Sequence, residues 1–159
     1  MTEPRDVKPP RFNHVALSLP AAALDEAGRK EIVEFYADCF GWEEYPTMTE
    51  DGKRLVLGAR RADQFVFLIA EDEPMTSPRM DHFGMAVASM DDFDVLCDRV
   101  RSWTERDDRV DFIDKHVDDQ GVVKIWSFYV RHLLPMMLEV QYFDWSPEVR
   151  EFVEAEASA

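Results

Sequence analysis

Cysteine, basic residues and long apolar runs are all scarce in this sequence. Its two cysteines, Cys39 and Cys97, lack the close spacing of a metal-binding or redox pair, so we expect both to be small core residues. The chain has 18 Lys and Arg but 33 Asp and Glu, and its net charge of −15 repels phosphate backbones and anionic lipid surfaces. No apolar run approaches the roughly 20 residues that a bilayer span requires. We therefore expect neither nucleic acid nor a membrane as a partner.

The first ten residues also lack the pattern of a secretion signal. MTEPRDVKPP is charged and proline-rich, whereas a signal has a basic end followed by an apolar core. We expect a flexible segment over residues 1–10 and a cytoplasmic protein. The rest of the composition is ordinary for a globular protein, with 46% hydrophobic and 12% aromatic residues over 159 positions. A chain of this size can bury a core and form a pocket.

The chain contains an internal repeat. The stretch FNHVALSL at 12–19 and the stretch MDHFGMAV at 80–87 both alternate as strands do, and each has a histidine as its third residue, 68 positions apart. A helical segment and three shorter strand-like segments follow each stretch. The helices are expected at 25–41 and 91–105, and the strands at 42–47, 54–59, 64–70, 110–116, 122–131 and 136–143.

This order predicts an α+β fold of two tandem βαβββ modules. We expect one domain over 11–145, with modules at 11–70 and 80–145 and a charged, proline-containing linker at 71–79. Ser146 and Pro147 suit the start of a helix, so an acidic helix or tail is expected over 146–159.

Metal-binding side chains occupy one face of three predicted strands. Because neighbouring residues of a strand point to opposite faces, His14, His82 and Glu139 fall on the small or polar face of their strands. Two imidazoles and a carboxylate on one side of a metal suit Fe(II), while Mn(II), Co(II), Ni(II) or Zn(II) could use the same ligands. Glu139 lies in an apolar strand, where an unpaired buried carboxylate costs several kcal/mol that a cation would remove.

More ordinary roles for these residues stay open. A histidine in a strand is usually a hydrogen-bonded residue without a metal, and Glu139 could point to solvent from a half-exposed strand. The repeat also places Phe67 at the position that corresponds to Glu139, when four extra residues are allowed in the second half. The fourth symmetry-related position therefore holds an aromatic ring instead of a ligand.

The repeat and the order of these residues, from about Arg11 to Asp144, resemble the vicinal oxygen chelate superfamily. This superfamily includes glyoxalase I, methylmalonyl-CoA epimerase, bleomycin-binding proteins and extradiol dioxygenases. The resemblance implies a curved mixed sheet around a cleft, a homodimer, and a divalent metal held by His14, His82 and Glu139. Phe67 departs from the four-ligand pattern of some members, which makes glyoxalase- and epimerase-like proton transfer less favoured.

Extradiol dioxygenases resemble the pattern better, because they bind Fe(II) through two histidines and a glutamate. They also have a tyrosine ten residues before the glutamate, a spacing that Tyr129 matches and that implies a role in orienting the substrate. A packed strand residue is an equal alternative for Tyr129. The two further active-site histidines of that family are missing, since they would fall at Phe67 and near Gln120. We expect His116 and His132 to be surface residues.

These residues predict a pocket for a small-molecule substrate. Phe65, Phe67 and Tyr129 would supply an aromatic wall, and Ser127 and Arg131 share the parity of Tyr129 and could hold a substrate anion. Arg131 is equally explained as a solvated charge at a strand end, which we prefer.

The leading hypothesis is a metal-dependent extradiol-type dioxygenase that acts on a small aromatic or vicinal-dioxygen substrate. One alternative is a bleomycin-resistance-like protein that sequesters a cationic ligand without catalysis, which the charge of −15 permits. Another is a glyoxalase- or epimerase-like lyase or isomerase.

Overall fold

The computed structural model describes residues 10–157. The first half of the chain forms a four-stranded mixed sheet, in which the first and the last strand of the chain order are parallel neighbours, followed by the third and then the second as antiparallel neighbours. A short 3-10 turn at Ala21–Leu24 follows the first strand. The elements of this module are β1 at His14–Leu19, α1 at Glu26–Phe40, β2 at Glu43–Glu44, β3 at Arg54–Gly58 and β4 at Phe65–Ala70.

The second half repeats this arrangement with the order β5-β8-β7-β6, and β5 and β8 are parallel. Its elements are β5 at His82–Ala86, α2 at Met90–Thr104, β6 at Asp111–Asp119, β7 at Val123–Arg131, β8 at Met137–Trp145 and a final helix α3 at Pro147–Ala157. The predicted α+β fold of two βαβββ modules is confirmed, and its mixed sheet consists of two four-stranded sheets.

Local sequence signals account for the helix ends. The Asp25 side chain accepts a hydrogen bond from the Gly28 backbone N–H at 2.8 Å and caps the start of α1. The helix ends at Gly41, whose φ of 68° lies in the left-handed region that glycine adopts without strain. Ser89 caps α2 in the same way through the Asp92 N–H.

Two strands differ most from the predictions in where they end. The strand expected at 42–47 covers only Glu43–Glu44, because Pro46 has no N–H to offer a sheet and the Met48 N–H closes a turn onto the Tyr45 carbonyl. Strand β6 runs on to Asp119, beyond the predicted end at residue 116, and its pairing with β7 shifts between Ile113 and His116. Most of the predicted flexible segment at 1–10, and residues 158–159 of the predicted tail, lie outside the described residues.

The two modules share one hydrophobic core between their helices. The Phe35 ring of α1 packs edge-on against Trp103 of α2, with ring centroids 5.2 Å apart. The Trp103 indole N–H donates to Asp38 at 2.6 Å, and the Tyr36 hydroxyl donates to the His132 carbonyl at 3.0 Å. Cys39 and Cys97 are both buried in this core, as predicted.

The prediction that His132 is a surface residue is wrong, because this residue is only 2% exposed. Its ring lies 4.5 Å from that of Phe35, and its Nδ1 is buried without a hydrogen-bond partner. Burial lowers the pKa of His132 because it disfavours the charged ring. The alternation of polar and apolar residues could not reveal the burial of His132, since this residue follows the end of β7 and packs against a helix of the other module. None of the helices in residues 10–157 is long and apolar enough to cross a membrane.

Candidate functional site

Each sheet has one face against the helices and one open face. In β1, Leu17 and Leu19 are buried while His14 and Ala16 are exposed. Strand β5 shows the same alternation, with His82, Gly84 and Ala86 exposed on its open face. The sorting of side chains by strand parity is therefore correct, because both histidines lie on the face turned away from the core.

The register of the parallel strand pairs tests the proposed equivalence of the two modules. His14 lies opposite Phe65 in β4, and His82 lies opposite Met137 in β8. Two residues further along, Ala16 lies opposite Phe67 and Gly84 opposite Glu139. Phe67 therefore takes the position of Glu139 in the first module, as the sequence predicted.

His82 and Glu139 form the polar centre of the second sheet. The Nε2 atom of His82 lies 3.2 Å from Oε2 of Glu139. Its Nδ1 lies 2.8 Å from the Met80 carbonyl, which can only accept, so Nδ1 carries the hydrogen. The Nε2 atom is thereby left facing the carboxylate, and a protein carbonyl holding the other ring nitrogen is the usual support of a metal-binding histidine.

These two residues fit a divalent metal by their donor chemistry. Glu139 is 6% exposed, so its carboxylate has lost most of its hydration. Gly84 lies opposite it, and a Cβ placed there would be 3.7 Å from Oε2 of Glu139, so the glycine leaves free space beside this oxygen. An imidazole lone pair and a carboxylate oxygen side by side are a pair of ligands that a cation would separate and satisfy.

Tyr129 of β7 is the hydrogen-bond partner of Glu139. Its hydroxyl donates to Oε1 at 2.6 Å, and the two residues lie directly opposite each other in the β7–β8 pair. Burial and the bond to the Glu139 carboxylate raise the pKa of Tyr129 to about 12. The phenol therefore stays protonated at neutral pH and remains a donor.

His14 is not brought to this centre within one chain. Its ring stacks on Phe65 with centroids 4.8 Å apart, and its Nδ1 contacts the Asn13 side chain at 3.0 Å. Among the described strands β1 pairs only with β4, and both lie in the other sheet from His82 and Glu139. Within residues 10–157, no three His, Cys, Asp or Glu side chains are close enough to share a metal. The convergence of three ligands expected from the sequence is thus absent from the single chain.

The predicted pocket residues are divided in the same way. Phe65 and Phe67 are half-buried in β4 beside His14, whereas Ser127, which is 4% exposed, and Arg131 are in β7 with Tyr129. The expected aromatic wall is therefore split between the two sheets.

Arg131 is occupied by a protein partner. Its Nη2 donates to Oδ2 of Asp111 at 3.0 Å, and Arg79 donates to the same carboxylate at 2.6 Å. Arg131 is thus neither the free solvated charge that we preferred nor an unpaired anion site.

Several residues near the site were missed by sequence reasoning. Met80 contributes its carbonyl to His82, and Gly84 leaves space beside Glu139. The exposed ring of His116 stacks on Tyr129 with centroids 5.8 Å apart and an angle of 11° between the planes. The glycine opposite a predicted ligand was a usable signal, but the position of His116 depends on a change in strand register that polarity does not reveal.

No family model matches the chain, and the search of curated proteins gives no match. Solved structures do match. Lactoylglutathione lyase from Agrobacterium tumefaciens is 17% identical with a TM-score of 0.55, over 85% of this chain and 95% of that one. A glyoxalase/bleomycin resistance protein/dioxygenase from Alicyclobacillus acidocaldarius is 21% identical with a TM-score of 0.52, over 90% and 95% of the two chains.

A third structure, an integron cassette protein from the mobile metagenome of V. cholerae, is 17% identical with a TM-score of 0.51, over 86% of this chain and 97% of that one. At such identities the likeness concerns the fold alone. The chain therefore has a glyoxalase-like fold, as the repeat in its sequence predicted.

Proposed function

We propose that this protein is a metal-dependent enzyme of the extradiol dioxygenase type, which acts on a small aromatic or vicinal-dioxygen substrate. The observation that carries the proposal is the arrangement around Glu139. His82 Nε2 faces one carboxylate oxygen at 3.2 Å, and the Tyr129 hydroxyl donates to the other at 2.6 Å.

The third ligand, His14, would come from a second copy of the chain in a homodimer. The two open faces carry complementary parts, with His14, Phe65 and Phe67 on the first sheet and His82, Glu139 and Tyr129 on the second. Joining the first sheet of one copy to the second sheet of another would produce two equivalent sites, as the symmetry of a dimer requires. It would also bring Phe65 and Phe67 to Tyr129 as an aromatic wall for the substrate.

Each residue has a defined part in this proposal. His82, Glu139 and His14 of the second copy hold the metal, with Fe(II) favoured and Mn(II), Co(II), Ni(II) or Zn(II) able to use the same ligands. When bound, such a metal supplies Lewis-acid chemistry, and iron also supplies dioxygen chemistry. The Met80 carbonyl keeps the His82 tautomer that offers Nε2. Tyr129 donates its one hydrogen to Glu139, so its hydroxyl oxygen is left to accept a hydrogen bond from a substrate hydroxyl close to the carboxylate.

A complementation experiment tests the shared site. His14→Ala and Glu139→Ala variants should each lose stoichiometric metal and cleavage of catechols to yellow ring-opened products. When the two variants are refolded together, about half of the dimers should be mixed, and each mixed dimer should contain one intact site. We therefore expect roughly one quarter of the wild-type metal content and activity to return. No recovery in mixtures that demonstrably form mixed dimers would contradict the shared site.

Sequestration of a cationic ligand is the second candidate, favoured by the net charge of −15 and by the exposed ring of His116 stacked on Tyr129. A protein purified without chelator that contains no transition metal and binds organic cations tightly would support this function. Stoichiometric metal that is lost in the Glu139→Ala variant would support the enzyme.

A further inference from the structure

Strand β6 contains a bulge that determines the direction of His116. Ile113 lies opposite Tyr129, and His116 lies opposite Ser127. The two β6 residues are three positions apart, whereas their partners in β7 are two apart, so β6 contains one extra residue. A bulge of this kind reverses which face of the sheet each later side chain of the strand occupies. Bulges often redirect a side chain near a functional site.

The extra residue is held by helix α2. Asp114 accepts a hydrogen bond from Arg101 at 2.7 Å, and the next residue, Lys115, donates to Asp94 at 2.5 Å. Arg101 and Asp94 belong to α2, which lies on the covered side of the sheet. Asp114 and Lys115 therefore point in the same direction although they are neighbours. His116 consequently points to the open face, on the same side as Ile113.

His116 extends the candidate site on the open face. Its ring is exposed and stacks on Tyr129, with centroids 5.8 Å apart and an angle of 11° between the planes. The His82 ring contacts the same tyrosine edge-on at 5.2 Å. Tyr129 is therefore flanked by two imidazoles, one of which faces Glu139 while the other is open to a ligand.

We infer that His116 is a substrate-contacting residue, whose imidazole nitrogen hydrogen-bonds a polar group of the ligand bound over Tyr129. This inference rests on the proposed function, because it assumes that a ligand with neighbouring oxygens binds at Glu139. The packing of β6 on α2 does not itself require an exposed imidazole at position 116. The inference explains what the bulge does: it places the imidazole of His116 beside Tyr129, which contacts the Glu139 carboxylate.

Three variants separate the imidazole nitrogen from the stacking of the ring. His116→Phe keeps an aromatic ring and removes the nitrogens, and His116→Gln keeps a polar group and removes the ring. Lys124→Gln, at an exposed position of β7 that takes no part in holding the bulge, is the control. The measurement is the dissociation constant of 4-nitrocatechol with Zn(II)-loaded protein, followed by the absorbance change of the bound catechol.

We expect His116→Phe to weaken 4-nitrocatechol binding by about three- to tenfold, the effect of one lost hydrogen bond. His116→Gln should stay closer to wild type than His116→Phe, and Lys124→Gln should bind as wild type does. Wild-type affinity in His116→Phe would overturn the inference and leave the proposed function intact. Wild-type Zn(II) protein that does not bind 4-nitrocatechol would overturn the proposed function, and this inference with it. Thermal unfolding of each variant verifies that it is folded.

Discussion

A single substitution, Glu139→Gln, tests whether the site is built for a cation at the expense of stability. In the protein without metal, Glu139 is 6% exposed and its carboxylate accepts a hydrogen bond from Tyr129, while the Nε2 atom of His82 lies 3.2 Å from its second oxygen. A glutamine has the same shape and no charge. Its carbonyl can accept from Tyr129, and its NH₂ can donate to His82, so every polar atom of the arrangement finds a partner.

The expected gain is the difference of two terms. Removing a buried carboxylate recovers a desolvation cost of several kcal/mol. Replacing the charge-assisted hydrogen bond from Tyr129 by a neutral one loses about 1 kcal/mol. We therefore expect the Glu139→Gln variant without metal to be about 1–2 kcal/mol more stable than wild type. For a domain of this size that corresponds to an increase in melting temperature of about 3–6 °C.

The assay is thermal or denaturant unfolding at pH 8, where free imidazole is neutral, with a chelator and then with added metal at fixed protein concentration. At a metal concentration one hundred times the dissociation constant, wild type should gain about 2.7 kcal/mol, and the variant should lose most of this gain. Glu43→Gln, at an exposed position of β2, is the control and should change stability by less than about 0.5 kcal/mol. A Glu139→Gln variant that is clearly less stable than wild type in chelator, or that is stabilised equally by metal, would refute the reasoning.

Three further predictions concern titratable groups. Ultraviolet titration should show the phenol of Tyr129 ionising near pH 12, and Glu139→Gln should lower this pKa because the neighbouring charge is removed. The free energy of unfolding should decrease as the pH falls through the region of 6.5, because the unfolded chain takes up a proton that buried His132 resists; His132→Phe should flatten this dependence. Burial raises the pKa of Cys39 to about 12 and that of Cys97 to about 11, so a thiol reagent at pH 8 should modify both only after unfolding.

Each of these predictions has a result that contradicts it. A native tyrosine spectrum in which every phenol ionises near pH 10 would show that the Tyr129 hydroxyl does not depend on the carboxylate. If the free energy of unfolding changed equally with pH in wild type and in His132→Phe, His132 would not be the source of the pH dependence. Fast modification of the folded protein would mean that the core between the modules opens readily.

Much of the fold could be predicted because it depends on short-range patterns. Two stretches of alternating polarity with a histidine at the same place revealed the repeat, and Asp25 and Gly41 marked the ends of a helix through local hydrogen bonds and backbone conformation. Strand parity also assigned His14, His82 and Glu139 to the open faces. All of this information is contained in neighbouring residues of the chain.

His116 is exposed, as predicted, but its position beside Tyr129 and the burial of His132 could not be predicted, for reasons of longer range. The parity of His116 depends on one extra residue in β6, and that bulge is held by contacts of Asp114 and Lys115 with a helix earlier in the chain. His132 is buried because a loop after β7 meets Phe35 from the other module. Neither contact leaves a signal in the local alternation of polar and apolar residues.

The same distinction explains why the sequence could predict which face of a sheet each of these side chains occupies, and not whether the three side chains meet. Alternation determines which face of a sheet a side chain occupies, but the relative placement of two sheets depends on which helices bury each other. Here α1 and α2 pack together through Phe35 and Trp103, so the covered faces of both sheets share one core and the open faces are left for other contacts. Under the function proposed above, a module with His14 and another with His82 and Glu139 would therefore belong to one chain and still require two chains to form one site.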